Sequence, residues 1–279
     1  MRFLLKVSRP RFWFYLFGPY LVGLVAGIAA RGELADWRYA LFAIYFLFPA
    51  NLLVYGINDI FDYETDALNA KKTDYEQLVG PEKRRTLFYW IAGLNLPFII
   101  AAALLFDLNS FLALQSFVFF SLFYSSPPIR AKTKPILDSA FNILYVMPGV
   151  FAFAITSGSL PPATLVIAAG MWTAAMHAYS AIPDIEADKK AGLATIATFF
   201  GGYTTLAICF GLYLAAAVLS FEYLGPTAIM LGSAYMILMI ASVQSLRTGR
   251  IFNLYKAFPM INIVAGFVLF WHVVISKSW

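Results

Sequence analysis

The sequence predicts an all-α polytopic membrane protein, and three observations carry that prediction. Hydrophobic residues make up 61% of the 279-residue chain and charged residues only 13%, with a mean hydropathy of +0.74, far from the values of ordinary soluble domains. Apolar windows of roughly 17–22 residues, the length that crosses a hydrocarbon core about 30 Å thick, recur along nearly the whole sequence. The period-two alternation of a membrane barrel is absent, so the backbone groups of these windows are expected to satisfy one another within helices. No hydrophilic stretch exceeds about 30 residues, which leaves a single transmembrane domain over residues 1–279.

Nine spans are predicted, at approximately 12–30, 39–57, 87–106, 110–125, 136–156, 163–182, 204–221, 226–244 and 258–276. The first follows Arg2, Lys6, Arg9 and Arg11 and lacks a small-residue cleavage site, so it reads as an uncleaved helix and not a signal peptide. The second runs into "NDIFDYETD", residues 58–66. Only Asp107, Leu108 and Asn109 separate the third from the fourth. After the fourth comes "YSSPPIRAKTKP", where Pro127 and Pro128 stop simple continuation of the helix. The sixth ends in "PDIEADKKAG". Cys209, within the seventh, is the only cysteine and excludes an intramolecular disulfide. His177 and His272 lie within spans and are expected to be packing or interface residues.

Nine spans divide the loops into two sets, and seventeen of the 20 Lys and Arg fall in one of them. That set comprises the amino-terminal segment and the loops after spans two, four, six and eight; the other holds only Arg31, Arg38 and Lys277. The positive-inside rule makes the basic set cytoplasmic, in a cell membrane. A net charge of +5 therefore calls for anionic lipid headgroups and topology, with no nucleic acid needed.

Eleven of fifteen acidic residues lie on that same side, seven of them in the clusters after spans two and six. Asn58, Asp62 and Asp66 recur at i, i+4 and i+8, and Asp59 joins them if the helix continues. Asp184 and Asp188 repeat the i, i+4 spacing, and since both spans run in one direction the clusters could converge on one cavity. Unpaired carboxylates at that density would raise one another's pKa values and push the helices apart. A divalent cation removes the conflict, and an all-oxygen donor set suits Mg²⁺, which commonly bridges carboxylates to substrate phosphates. Zinc would want His or Cys nearby. Solvated helix ends paired with Lys71, Lys72, Lys189 and Lys190 are the open alternative, and Glu64 and Glu186 point away from the acidic faces. Arg130, Lys132 and Lys134 on the same side would complete a diphosphate site, or serve only as positive-inside loop charges.

"NDIFDYETD" resembles the NDxxDxxxD signature, and "DIEAD" the DxxxD signature, of the UbiA superfamily of intramembrane prenyltransferases; "YSSPPIRAK" is similar to that family's Tyr-and-base element. The resemblance implies nine helices around a central cavity and Mg²⁺-dependent transfer of a prenyl group from its diphosphate to a lipophilic acceptor. By position, Asn58, Asp62, Asp66, Asp184 and Asp188 would hold the metal, the four aspartates being the catalytic set. Tyr124, Arg130 and Lys132, with Lys72, would hold the diphosphate. "GINDIFDYETDALNAKK" and "MHAYSAIPDIEADKKAGLATIATFFG" look most like the lycopene elongase branch, which implies a dimethylallyl donor and the end of a C40 polyene as acceptor. "TDYEQLVGPEKRR" lacks the Arg-containing form of this loop associated with aromatic acceptors. A quinone precursor, a chlorophyllide and a glycerol phosphate lipid stay open as acceptors. An ion-coupled transporter, the rival from another class, would place acidic residues deep within spans and tend to repeat its halves. Here the acids sit at span ends and nine does not divide evenly.

Overall fold

The structure is a computed structural model that describes residues 1–62 and 79–277. Among the described residues eight helices are long and apolar enough to cross a membrane: Trp37–Phe61, Pro81–Leu105, Leu108–Ser125, Leu137–Ser157, Ala163–Lys190, Gly202–Leu224, Pro226–Arg247 and Ile251–Ser276. Eight of the nine expected spans meet this measure. The window at 12–30 holds the helix Phe14–Gly27, whose 14 residues span about 21 Å at 1.5 Å each. It is cut short by Arg9 and Pro10 on one side, Arg9 having φ +51°, and by extended Ile28 on the other. Side chains that would be anomalous on a soluble surface, such as Leu104 at 79% and Ile275 at 77% exposure, face outward, as a lipid-facing surface requires.

The chain divides into two compact units, the first formed by residues 1–130, 147–160 and the carboxyl-terminal residues from 277. In it, Phe14–Gly27 lies close against Met147–Ser157 because Gly23 meets Gly149: a Cβ on Gly23 would collide with the Gly149 carbonyl oxygen. Small residues at a crossing let two backbones approach closely. The predicted second span is two helices, Trp37–Leu47 and Pro49–Phe61, broken at Phe48 (φ −127°, ψ −62°) because Pro49 has no N–H to donate. Two of the carbonyls freed by the break are recaptured: Asn51 Nδ2 donates to Phe46 O at 2.8 Å and to Leu47 O at 3.2 Å, as an apolar environment demands. Around this break pack the fully buried rings of Phe42, Tyr45, Phe46, Phe117 and Phe151.

The second unit comprises residues 131–146 and 161–276. Ala163–Ala181 packs on Gly202–Leu224, and that helix on Pro226–Arg247. Its interior is aromatic but hydrogen-bonded. Tyr213 and Tyr235 stack at 4.6 Å between centroids, the Tyr235 hydroxyl donates to Asn262 Oδ1 at 2.8 Å, and Ser242 Oγ donates to the Tyr179 hydroxyl at 3.0 Å. Buried Tyr needs such partners. His272 Nδ1 lies 3.0 Å from Thr227 Oγ1, in agreement with a packing role.

Candidate active site

The first acidic motif lies in the first unit, at the end of Pro49–Phe61. That helix closes at Phe61, and Asp62 follows with φ −111° and ψ 6°. Asp66 and Lys72 lie outside the described residues. Asp59 and Asp62 are almost wholly buried. Asp59 accepts from Arg9 Nη2 at 2.8 Å, and the same guanidinium lies over the Tyr55 ring, 4.9 Å from its centroid. A buried carboxylate requires a partner of this kind. Asn58 Oδ1 accepts from Ser125 Oγ at 2.9 Å, which fixes the carboxamide to the last residue of Leu108–Ser125. Tyr124, half-buried, is the neighbour of that anchor. Arg130 carries φ +48°, uncommon outside glycine, and donates a long hydrogen bond of 3.4 Å from Nη2 to Phe61 O. The first unit therefore brings Asn58, Asp62 and Arg130 to one helix end.

Lys132, Asp184 and Asp188 belong to the second unit. Pro183 converts the end of Ala163–Ala181 into a single 3₁₀ turn, Ile182–Asp184, from which the short helix Ile185–Lys190 departs. Asp184 and Asp188 are half-buried while Glu186 between them is exposed, as their spacing predicts. The helix ends in a full Schellman motif: Gly192 has φ +68°, its N–H donates to Lys189 O at 3.1 Å, and Leu193 N–H donates to Asp188 O at 2.8 Å. Lys132 sits half-buried on the 3₁₀ turn Ala131–Thr133, and Lys134 is exposed.

Sequence reasoning missed three residues. In sequence Arg9 is one of several amino-terminal bases, Ser125 one of two adjacent serines before Pro127, and Asp138 a lone acid near the start of the fifth apolar window. Asp138 is fully buried and its Oδ2 accepts from Ile196 N–H at 2.7 Å; an acid at the start of an apolar window was the one available signal.

The donor set fits a hard cation. The side-chain oxygens the two motifs offer are carboxylates and, in the first motif, the Asn58 carboxamide, with no His or Cys in either. No group of three or more His, Cys, Asp or Glu forms an all-protein metal cage among the described residues, and Mg²⁺ needs none, since it retains water and takes substrate phosphate oxygens.

Comparison with known proteins identifies the family. The sequence model described as the UbiA prenyltransferase family matches residues 16–274. A curated lycopene elongase/hydratase from Haloferax volcanii is 39% identical over 268 residues, covering 96% of this chain and 87% of that protein. Two solved structures of a UbiA homologue from Archaeoglobus fulgidus share the fold. The one bound to GPP and Mg²⁺ has a TM-score of 0.68 at 22% identity, over 96% of this chain and 99% of that one. The one bound to DMAPP and Mg²⁺ has a TM-score of 0.68 at 21% identity, with the same coverage.

Proposed function

We propose, starting from the fact that this chain belongs to the UbiA prenyltransferase family, that it transfers a dimethylallyl group from its diphosphate to the end of a lycopene-type carotenoid. As a member of that family it is an intramembrane prenyltransferase; donor, acceptor and metal are the proposed part. The observation that carries the carotenoid reading is the 39% identity, over 96% of this chain, to a protein named lycopene elongase/hydratase.

In this reading Asn58, Asp62, Asp66, Asp184 and Asp188 hold Mg²⁺, and Tyr124, Arg130, Lys132 and Lys72 hold the diphosphate. Bound Mg²⁺ would supply positive charge to offset that of the departing diphosphate. The cationic side chains do the same from fixed positions, stabilising charge where it develops. The allylic C–O bond breaks with its electron pair on oxygen, the π pair of a terminal alkene forms the new C–C bond, and the resulting tertiary cation loses a proton or takes up water. The membrane supplies the lipophilic acceptor, and the amino terminus and both motifs face the cytoplasm. The test is an assay of membranes containing the protein, supplied with dimethylallyl diphosphate, lycopene and Mg²⁺. Lycopene-dependent release of diphosphate is expected, and release that ignores lycopene but responds to an aromatic or lipid acceptor would replace this reading.

A further inference from the structure

Within the second unit, the basic turn and the second acidic motif are joined by a continuous series of hydrogen bonds centred on one buried carboxylate. Asp138 is 0% exposed. Its backbone N–H donates to Lys134 O at 2.9 Å, and Lys134 N–H donates to Ala131 O at 2.9 Å, closing the turn that carries Lys132. Its Oδ1 accepts from Ser139 N–H at 2.8 Å, and its Oδ2 from Ile196 N–H at 2.7 Å, 58 residues away. Ile196 begins a helix whose cap, Thr195, forms a reciprocal capping box with Thr198. Thr198 Oγ1 reaches back to Leu193 O at 3.2 Å, and Leu193 N–H holds Asp188 O at 2.8 Å.

We propose that Asp138 is a positioning residue that sets the Lys132 turn relative to Asp184 and Asp188, an inference that rests on the diphosphate-binding reading above. Three physical points support it. Burying a carboxylate is costly unless donors surround it, so an apolar residue would serve better if packing were the only demand. Its donors are backbone N–H groups of two separate segments, which makes it a fixed spacer between them. Ile136, two residues away, carries φ +73°, a genuine outlier for a β-branched residue, and such a conformation persists only where the surroundings over-determine it. His177 Nε2 stands 3.8 Å from Asp138 Oδ2, beyond hydrogen-bond reach. Preorganised charges at a set separation are what departure of a diphosphate requires.

The test is the affinity of the full, detergent-purified chain for inorganic diphosphate at saturating Mg²⁺, by titration calorimetry below each variant's unfolding temperature. Asp138→Ala should weaken binding tenfold or more. Asp138→Asn, which retains one acceptor for Ile196 N–H, should stay within about threefold of the wild type, in line with retention of the stronger of two hydrogen bonds. Ile196→Pro removes the donor instead, at a first helical position that accepts proline and after an extended Thr195 (φ −103°, ψ 167°); it should match Asp138→Ala. Wild-type affinity in Ile196→Pro overturns the proposal, whether or not Asp138→Ala folds, as does a lowered unfolding temperature with unchanged affinity in both. Asp184→Asn serves as reference: if it binds diphosphate as the wild type does, the diphosphate reading itself falls, and this inference with it.

Discussion

Arg9 Nη2 lies 2.8 Å from Asp59 Oδ1, tying the amino-terminal segment to the first acidic motif across 50 residues. The two side chains are 12% and 2% exposed, so the pair is largely withdrawn from water. Removing one partner of such a pair leaves an uncompensated charge, whereas replacing both with apolar groups is often neutral. Arg9→Met is therefore expected to destabilise the protein by about 3 kcal/mol. Thermal unfolding of Arg9→Met, Asp59→Leu and the double variant checks this: the double variant should recover most of the loss, and additive losses would show that the pair is not coupled.

Ser125 acts on the first motif through Asn58, whose carboxamide it holds by the 2.9 Å hydrogen bond. Losing a group that orients a metal ligand typically costs about 10–100-fold in metal affinity. Ser125→Ala should raise the Mg²⁺ concentration for half-maximal activity by about tenfold and leave kcat at saturating Mg²⁺ nearly unchanged. A Mg²⁺ titration of the reaction rate separates this from simple loss of protein.

The contact of Gly23 with Gly149 predicts intolerance to a single methyl group. Gly23→Ala places its Cβ against backbone, which cannot turn aside as a flexible side chain would, and should cost about 1–3 kcal/mol, the usual penalty of overpacking. Gly18 is on the same helix, but a Cβ there meets nothing within 4 Å. Gly18→Ala should be neutral or stabilising, since Gly in a helix costs about 1 kcal/mol relative to Ala. Unfolding midpoints that fall equally in both variants would contradict the close-packed crossing.

Asp107 caps Leu108–Ser125 by accepting from Ser110 N–H at 2.9 Å, and this hydrogen bonding to Ser110 holds its carboxyl below the usual carboxylate range. A depressed folded-state pKa gives stability that is complete above the unfolded value of about 3.9 and lost as pH falls through the folded value. Asp107→Ala should thus cost about 1 kcal/mol near neutrality, the ordinary worth of an N-cap, with the difference shrinking at low pH. Unfolding midpoints of wild type and variant at pH 7 and pH 3 give the comparison; an unchanged gap would place the cap energy elsewhere.

Helix positions were legible in the sequence wherever an apolar window ended at a polar cap or a proline. The predicted boundary between the third and fourth spans stands at Asp107, and Pro226–Arg247 and Phe258–Ser276 begin where their windows begin. What hydropathy cannot register is an interruption inside an apolar run: the break at Phe48, and the passage of the predicted fifth span from Leu137–Ala140 through a 3₁₀ turn to Met147–Ser157, change backbone geometry without changing polarity. In the candidate site, residue type and i, i+4 spacing singled out Asn58, Asp62, Asp184 and Asp188 as the residues proposed to hold the metal. The partners of Asn58 and Asp59 escaped because they lie 67 and 50 residues away, and Asp138 escaped because its partner is a backbone N–H, which every residue but proline carries.

Prenyl transfer to a carotenoid is tested by expression in a bacterium that accumulates lycopene, followed by mass spectrometry of extracted pigments, with Asp62→Asn as control. Masses corresponding to one or two added C5 units are expected, absent with Asp62→Asn, with a further 18 mass units per end wherever water discharges the cation. Unchanged lycopene, with the protein verified in the membrane and dimethylallyl diphosphate available, would contradict the carotenoid acceptor.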